Sequence, residues 1–241
     1  MLGFLLAVCL ALTHLFVGRL GNIKSASRKR WISVAGGVSI AYIFLDIFPE
    51  LAHAQEELEH SAVPLLAYLE QHIYLLALLG LVRFYGLEKL ALRSRSYSQE
   101  MHQIDTTRIG IFWVHIGVFA LYNAILGYLF RDSGNHGIVA CLLLFFVLAL
   151  HFIVNDLGMR EHHKHSYDRV GRWILAAAIV LGWAIGKVVS LSPAAIEANR
   201  DNVDGGIYLN NLKEEIPEEQ ESDFISFFTG AVAYGALLLI A

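Results

Sequence analysis

Apolar runs long enough to cross a bilayer recur along most of this chain, and they constrain its fold more than any motif does. A hydrocarbon core of roughly 30 Å takes about 20 helical residues, and within it every backbone amide must find its partner inside the segment. Such runs fall at residues 2–18, 31–51, 65–90, 109–130, 137–159, 170–191, 196–216 and 224–241. With 56% hydrophobic and 17% charged residues, the chain has little polar surface for a soluble domain. The expectation is an all-α polytopic membrane protein of eight transmembrane helices, with residues 1–241 as a single transmembrane domain. The seventh run carries Glu197, Asn199, Arg200, Asp201, Asn202 and Asp204, so it needs shielding by its neighbours. The first run lacks a basic leader and a small-residue cleavage site, so it reads as a helix and not a removed signal peptide.

The basic residues set the orientation. Fifteen of them sit at or beside alternate links: Arg19, Lys24, Arg28, Lys29 and Arg30; Arg83, Lys89, Arg93, Arg95 and Arg108; Arg160, Lys164, Arg169 and Arg172; and Lys213. Three remain for the opposite side, Arg131, Lys187 and Arg200. The positive-inside rule then turns both termini outward and those four links to the cytoplasm, in a plasma (inner) membrane. Cys9 and Cys141 both lie in apolar runs, so neither a disulfide nor a thiolate metal site is expected. No basic face interleaved with aromatics points to nucleic acid.

Two distant stretches rhyme. Gly36-Gly37 leads to Asp46-Ile47-Phe48-Pro49-Glu50, and Gly205-Gly206 leads to Glu214-Glu215-Ile216-Pro217-Glu218. Carboxylates entering apolar runs mark polar paths, and a repeat of such an element in both halves is the trace of an inverted-repeat carrier. In the second run Ser39, Asp46, Glu50, His53 and Glu57 share one helical face. Asp46 lies a turn inside the run, where a cation route explains it better than a solvated helix end does.

Toward its end the fifth run reads His151-Phe-Ile-Val-Asn155-Asp156, an imidazole, an amide and a carboxylate within six positions. Together they can hold a borderline divalent cation such as Zn²⁺. The competing reading is a helix terminus bonding its own backbone. The fourth run carries His115, Tyr122 and Asn123, where Asn123 offers an oxygen ligand and His115 is either a further ligand or a packed histidine. His14 and His72 stand alone in their runs and read as structural. Glu161-His162-His163-Lys164-His165 opens a basic link and reads as a solvated turn.

These residues resemble the ZIP family of divalent-metal transporters. Asp46-Ile-Phe-Pro49-Glu50 is similar to the family's His-x-x-Pro-Glu element on the second helix, with Asp in place of His. Tyr122-Asn123-Ala-Ile-Leu126-Gly127 keeps the Asn and Gly of the fourth-helix motif, with Tyr122 and Leu126 where the family has His and a carboxylate. His151-Phe-Ile-Val-Asn155-Asp156 keeps the first His and the acidic end of the fifth-helix motif, and Gly205-Gly206 to Pro217-Glu218 resembles that of the seventh. The resemblance implies eight helices with both termini outside and an inverted repeat between the first and last three. It also implies a metal site between the fourth and fifth helices, of which one centre of reduced charge survives here.

The function expected is divalent-cation transport, with Zn²⁺ or a similar ion as cargo and no covalent cofactor. The metal residues are His151, Asn155, Asp156, Asn123, Asp46, Glu50, His115 and Glu214. Partners are the ion and the lipid bilayer, and a homodimer is left open. Enzymatic activity is not expected. The rivals are a non-transporting metal sensor or scaffold on the same fold and, further off, an intramembrane hydrolase using His115, His151 and Asp156 around activated water.

Overall fold

The computed structural model describes residues 2–20, 25–49, 73–130, 137–189 and 223–240. Glu50 and Glu214 lie outside these residues, as do the whole run 196–216 and both Gly205-Gly206 and Pro217-Glu218. Among the described residues every regular element is helical: α1 (Leu2–Leu20), α2 (Ser25–Tyr42), α3 (Ile73–His102), α4 (Ile109–Leu129), α5 (Ile138–His163), α6 (Arg172–Val188) and α7 (Phe224–Ile240). Wide π-type turns extend α2 over Ile43–Ile47 and precede α6 over Tyr167–Gly171. Among the described residues four stretches are long and apolar enough to cross a membrane: Leu2–Arg19, Ile109–Tyr128, Ile138–His163 and Tyr167–Val188. The apolar stretch Phe224–Leu239 is shorter.

The distribution of polarity is that of a protein solvated by lipid. Trp113, Val114 and Leu121 of α4, Leu142 and Phe146 of α5, and Leu181 and Ile185 of α6 are exposed. The buried positions, by contrast, include His14, His115, Asn123, His151, Asn155 and Asp156. Water would drive the opposite arrangement. Hydrocarbon makes outward apolar and inward polar side chains the favourable one.

Three boundaries depart from expectation. α2 begins at Ser25 and not near 31, so Arg28, Lys29 and Arg30 ride on its first turns. α3 runs to His102 where the apolar run ends near 90. At 1.5 Å per residue its 30 residues reach about 45 Å, well beyond a hydrocarbon core. The excess is held by polar contacts, with Arg95 bonding the carboxylates of Asp105 and Glu161. α5 likewise continues past 159 to His163. Propensity and side-chain bonding carry a helix on where hydropathy stops.

The chain forms two compact units, one from residues 1–28 and 86–189 and the other from 29–85 and 190–241. In the first, α1 packs on α5 and α6, and α4 packs along α6. The α4–α6 crossing is backbone to backbone. A side chain at Gly127 would collide with the Ile179 carbonyl, and one at Gly182 with the Ala124 carbonyl. Small residues at such a crossing are how helices approach closely in lipid.

In the second unit Gly37 meets the Phe227 carbonyl of α7, and Gly230 meets the Val34 carbonyl of α2. The first glycine pair thus contributes a helix crossing. The π-type turn one residue short of Pro49 follows from that proline. It supplies no N–H, and its ring displaces the carbonyl four residues earlier, so the preceding ladder widens and Phe48 N–H bonds the Ile43 carbonyl.

Candidate functional site

The polar interior of the first unit is assembled by four elements. The C-terminal turn of α1 is tied down by two arginines, Arg160 donating to the Gly18 carbonyl at 3.4 Å and Arg172 to the Leu15 carbonyl at 3.4 Å. Cations there complement the negative end of the helix dipole. Arg160 is itself aligned by Asp168, at 2.8 Å. So anchored, α1 presents His14 to α4 and α5, where its ring stacks on Phe152 with centroids 4.6 Å apart.

His14 bridges the two helices expected to build the site. Its Nδ1 lies 2.8 Å from Asp156 Oδ2 and its Nε2 lies 2.9 Å from Asn123 Oδ1. All three side chains are buried, at 1%, 0% and 1% exposure. The Asn123 amide cannot be reversed, because its Nδ2 donates to the Phe119 carbonyl at 2.8 Å. Its oxygen therefore faces the ring, and His14 Nε2 must donate.

A second group lies one position earlier on α4 and up to five earlier on α5. His151 Nε2 is 2.8 Å from Asn155 Nδ2 and 3.2 Å from the Tyr122 hydroxyl. His151, Asn155 and Tyr122 are all buried. Two oxygens in this region lack a donor in hydrogen-bonding geometry, Asn155 Oδ1 and Asp156 Oδ1. The hydroxyl of buried Tyr167 faces Asp156 as a donor, at the edge of hydrogen-bonding geometry. Burying acceptors unsatisfied costs about 1–3 kcal/mol each, so such atoms call for a ligand or a functional reason.

His115 does not join this set. It sits two turns along α4 and bonds through Nδ1 to His163 Nε2 at 3.0 Å, while His163 Nδ1 meets the Thr107 hydroxyl. The trio of His115, His151 and Asp156 that a hydrolase would need is therefore not assembled. The expected solvated turn at 161–165 is also corrected. His162 and His163 are buried, because α5 extends through them and the 103–108 segment covers them, with Thr107 N–H donating to the His162 carbonyl at 3.1 Å. His162 Nε2 meets Glu88 Oε1 at 2.9 Å.

His14 is the residue that sequence reasoning missed. Its partners lie 109 and 142 positions away, and no local spacing reveals them. The one available signal was a histidine inside an otherwise apolar span. Asp46 belongs to the second unit, half-buried on the Ile43–Ile47 turn and within electrostatic reach of Tyr234. Among the described residues no three His, Cys, Asp or Glu side chains group as a metal ion would require. Comparison with family models, characterised proteins and solved structures finds no match.

Proposed function

We propose that the chain is a ZIP-like membrane carrier for a divalent cation of the Zn²⁺ class, with its ion site inside the first unit. The observation that carries this reading is that two buried oxygens of consecutive residues, Asn155 Oδ1 and Asp156 Oδ1, accept no bond of ordinary geometry, with the Tyr167 hydroxyl as the donor facing Asp156. His151 lies beside Asn155, and His14 beside Asp156. A carboxylate, amide oxygens and neutral imidazole are the donor set of a borderline cation, with water completing its shell. The ion is cargo, so a set short of the usual count suits release.

The remaining roles follow the same reading. Eight spans set both termini outside in the plasma membrane, and Asp46, Glu50 and Glu214 keep the cation-handling roles that the resemblance implies. His115 is assigned to the packed His163 pair and not to the ion. No catalytic role is assigned to any residue.

A second reading has its own observation. Tyr122 and Leu126 are buried where the family carries ligands, and the Tyr122 hydroxyl is already committed to His151. That arrangement favours a sensor or scaffold. Elemental analysis of the purified protein separates the two. Wild type and Tyr167→Phe should retain a divalent metal that Asp156→Ala loses. A wild type with no metal after incubation with Zn²⁺ would leave the scaffold.

A further inference from the structure

One end of the first unit's polar interior is bridged by an arginine. On α5 Arg160 lies one helical turn past Asp156, and on α1 Gly18 lies one turn past His14, so the two helices leave the site side by side. There the Arg160 guanidinium joins three elements. It belongs to α5, its Nη1 donates to the Gly18 carbonyl of α1 at 3.4 Å, and its Nε donates to both carboxylate oxygens of Asp168, at 2.8 and 3.0 Å. Asp168 stands on the wide turn Tyr167–Gly171, which follows a break in the helix at Lys164, where φ is 47°. The residue before it, Tyr167, is fully buried and faces Asp156. Neighbouring positions of one turn thus meet the site carboxylate and the arginine beyond it. The turn is tightly packed, since a side chain at Gly171 would press on Tyr167 and on Ile116 of α4.

We propose that the Arg160–Asp168 pair is the inner gate of the carrier, closing the cytoplasmic end of the path from Asp156, and that the Tyr167–Gly171 turn links this gate to the site. This rests on the carrier reading above. An ion leaving Asp156 toward that end meets a permanent positive charge about 6 Å further along α5, and like charges repel strongly where water is scarce. Exit needs Arg160 to swing clear, which it cannot do while Asp168 and the Gly18 carbonyl hold it. The two side chains of the pair are 33% and 35% exposed, so the contact is weak enough to break in each cycle. An ion on Asp156 takes the place of the Tyr167 hydroxyl, and the movement of Tyr167 passes to Asp168 one residue on.

The first test reads how easily a water-soluble reagent enters from that end. Full-length protein carrying Cys9→Ala and Val17→Cys is treated in detergent with a methanethiosulfonate, and labelling at position 17 and at Cys141 is followed by peptide mass. Val17 is buried on α1 between His14 and Gly18, and Cys141 is buried near the start of α5. Adding Asp168→Asn or Arg160→Gln should speed labelling at position 17 at least about tenfold and leave Cys141 slow, because only the gate end opens. Arg160→Lys, which keeps the charge, should restore slow labelling. Equal rates at position 17 with and without the pair would overturn the gate. Faster labelling at both positions would overturn it too, since that marks a general loosening.

Zn²⁺ uptake into vesicles separates the gate from the reading it rests on. Asp168→Asn should take up Zn²⁺ several-fold faster than wild type at equal protein density. Wild-type uptake that Asp168→Asn and Arg160→Gln leave unchanged would overturn the gate and keep the carrier. A wild type without uptake would overturn the carrier reading, and the gate for an ion with it.

Discussion

At the scale of single residues, the strongest dependence is between Asn123 and His14. Asn123→Ala deletes the acceptor for His14 Nε2 and leaves that buried donor unsatisfied, while the Phe119 carbonyl keeps its helical partner. It should lower stability by about 1–3 kcal/mol, read as a fall in Tm in detergent. A charge pair outside the spans gives a pH prediction. Hydrogen bonding to Arg95, with Lys164 nearby, lowers the Asp105 carboxyl from 3.8 to about 2. A depressed acid contributes its stabilisation above its ordinary value and loses it as pH falls through the depressed one, so the contact should dissolve between about pH 4 and pH 2. The Asp105 carboxyl carbon should titrate near 2 by NMR, and in Arg95→Ala its midpoint should move back toward 3.8. Residue-level chemistry was partly legible in the sequence. Asn123, His151, Asn155 and Asp156 were visible as polar positions in apolar runs, and the structure buries all four. His14 was not, because a hydrogen bond across 142 positions leaves no periodicity to read.

At the scale of elements, helices in lipid are held by close backbone approach more than by apolar burial, since lipid tails solvate leucine as well as a core does. Gly127 and Gly182 each face a carbonyl of the other helix. Gly182→Leu should push α4 from α6 and lower Tm by several degrees, whereas Gly117→Leu on α4, where nothing crowds a side chain, should change it little. Equal effects from the two would argue against the crossing. The helices themselves were legible wherever hydropathy was the deciding term. The α1, α4 and α7 bounds fall within two residues of the apolar runs at 2–18, 109–130 and 224–241. They were not legible where polar contacts extend a helix beyond its apolar stretch, as Arg95 does for α3 and as Thr107 packing over His163 does for α5. The solvated turn assigned to 161–165 failed for that reason. Its histidines look like surface only while the segment that covers them is unknown.

At the scale of the whole molecule, the chain is all-helical among its described residues, with four helices long and apolar enough to span a membrane and a polar interior in one of two compact units. An interior of that polarity is costly in lipid and marks function more often than packing. The carrier reading makes Asp156 the carboxylate of the first unit's site and counts Asp46, in the second unit, among the cation-handling residues. Zn²⁺ flux into vesicles containing the purified protein tests this most directly, with wild type, Asp156→Ala and Asp46→Ala compared at equal protein density. The account predicts uptake by wild type, loss of uptake in Asp156→Ala to the level of protein-free vesicles, and reduced uptake in Asp46→Ala. Wild-type uptake that both variants match would contradict it, and so would a wild type that carries nothing.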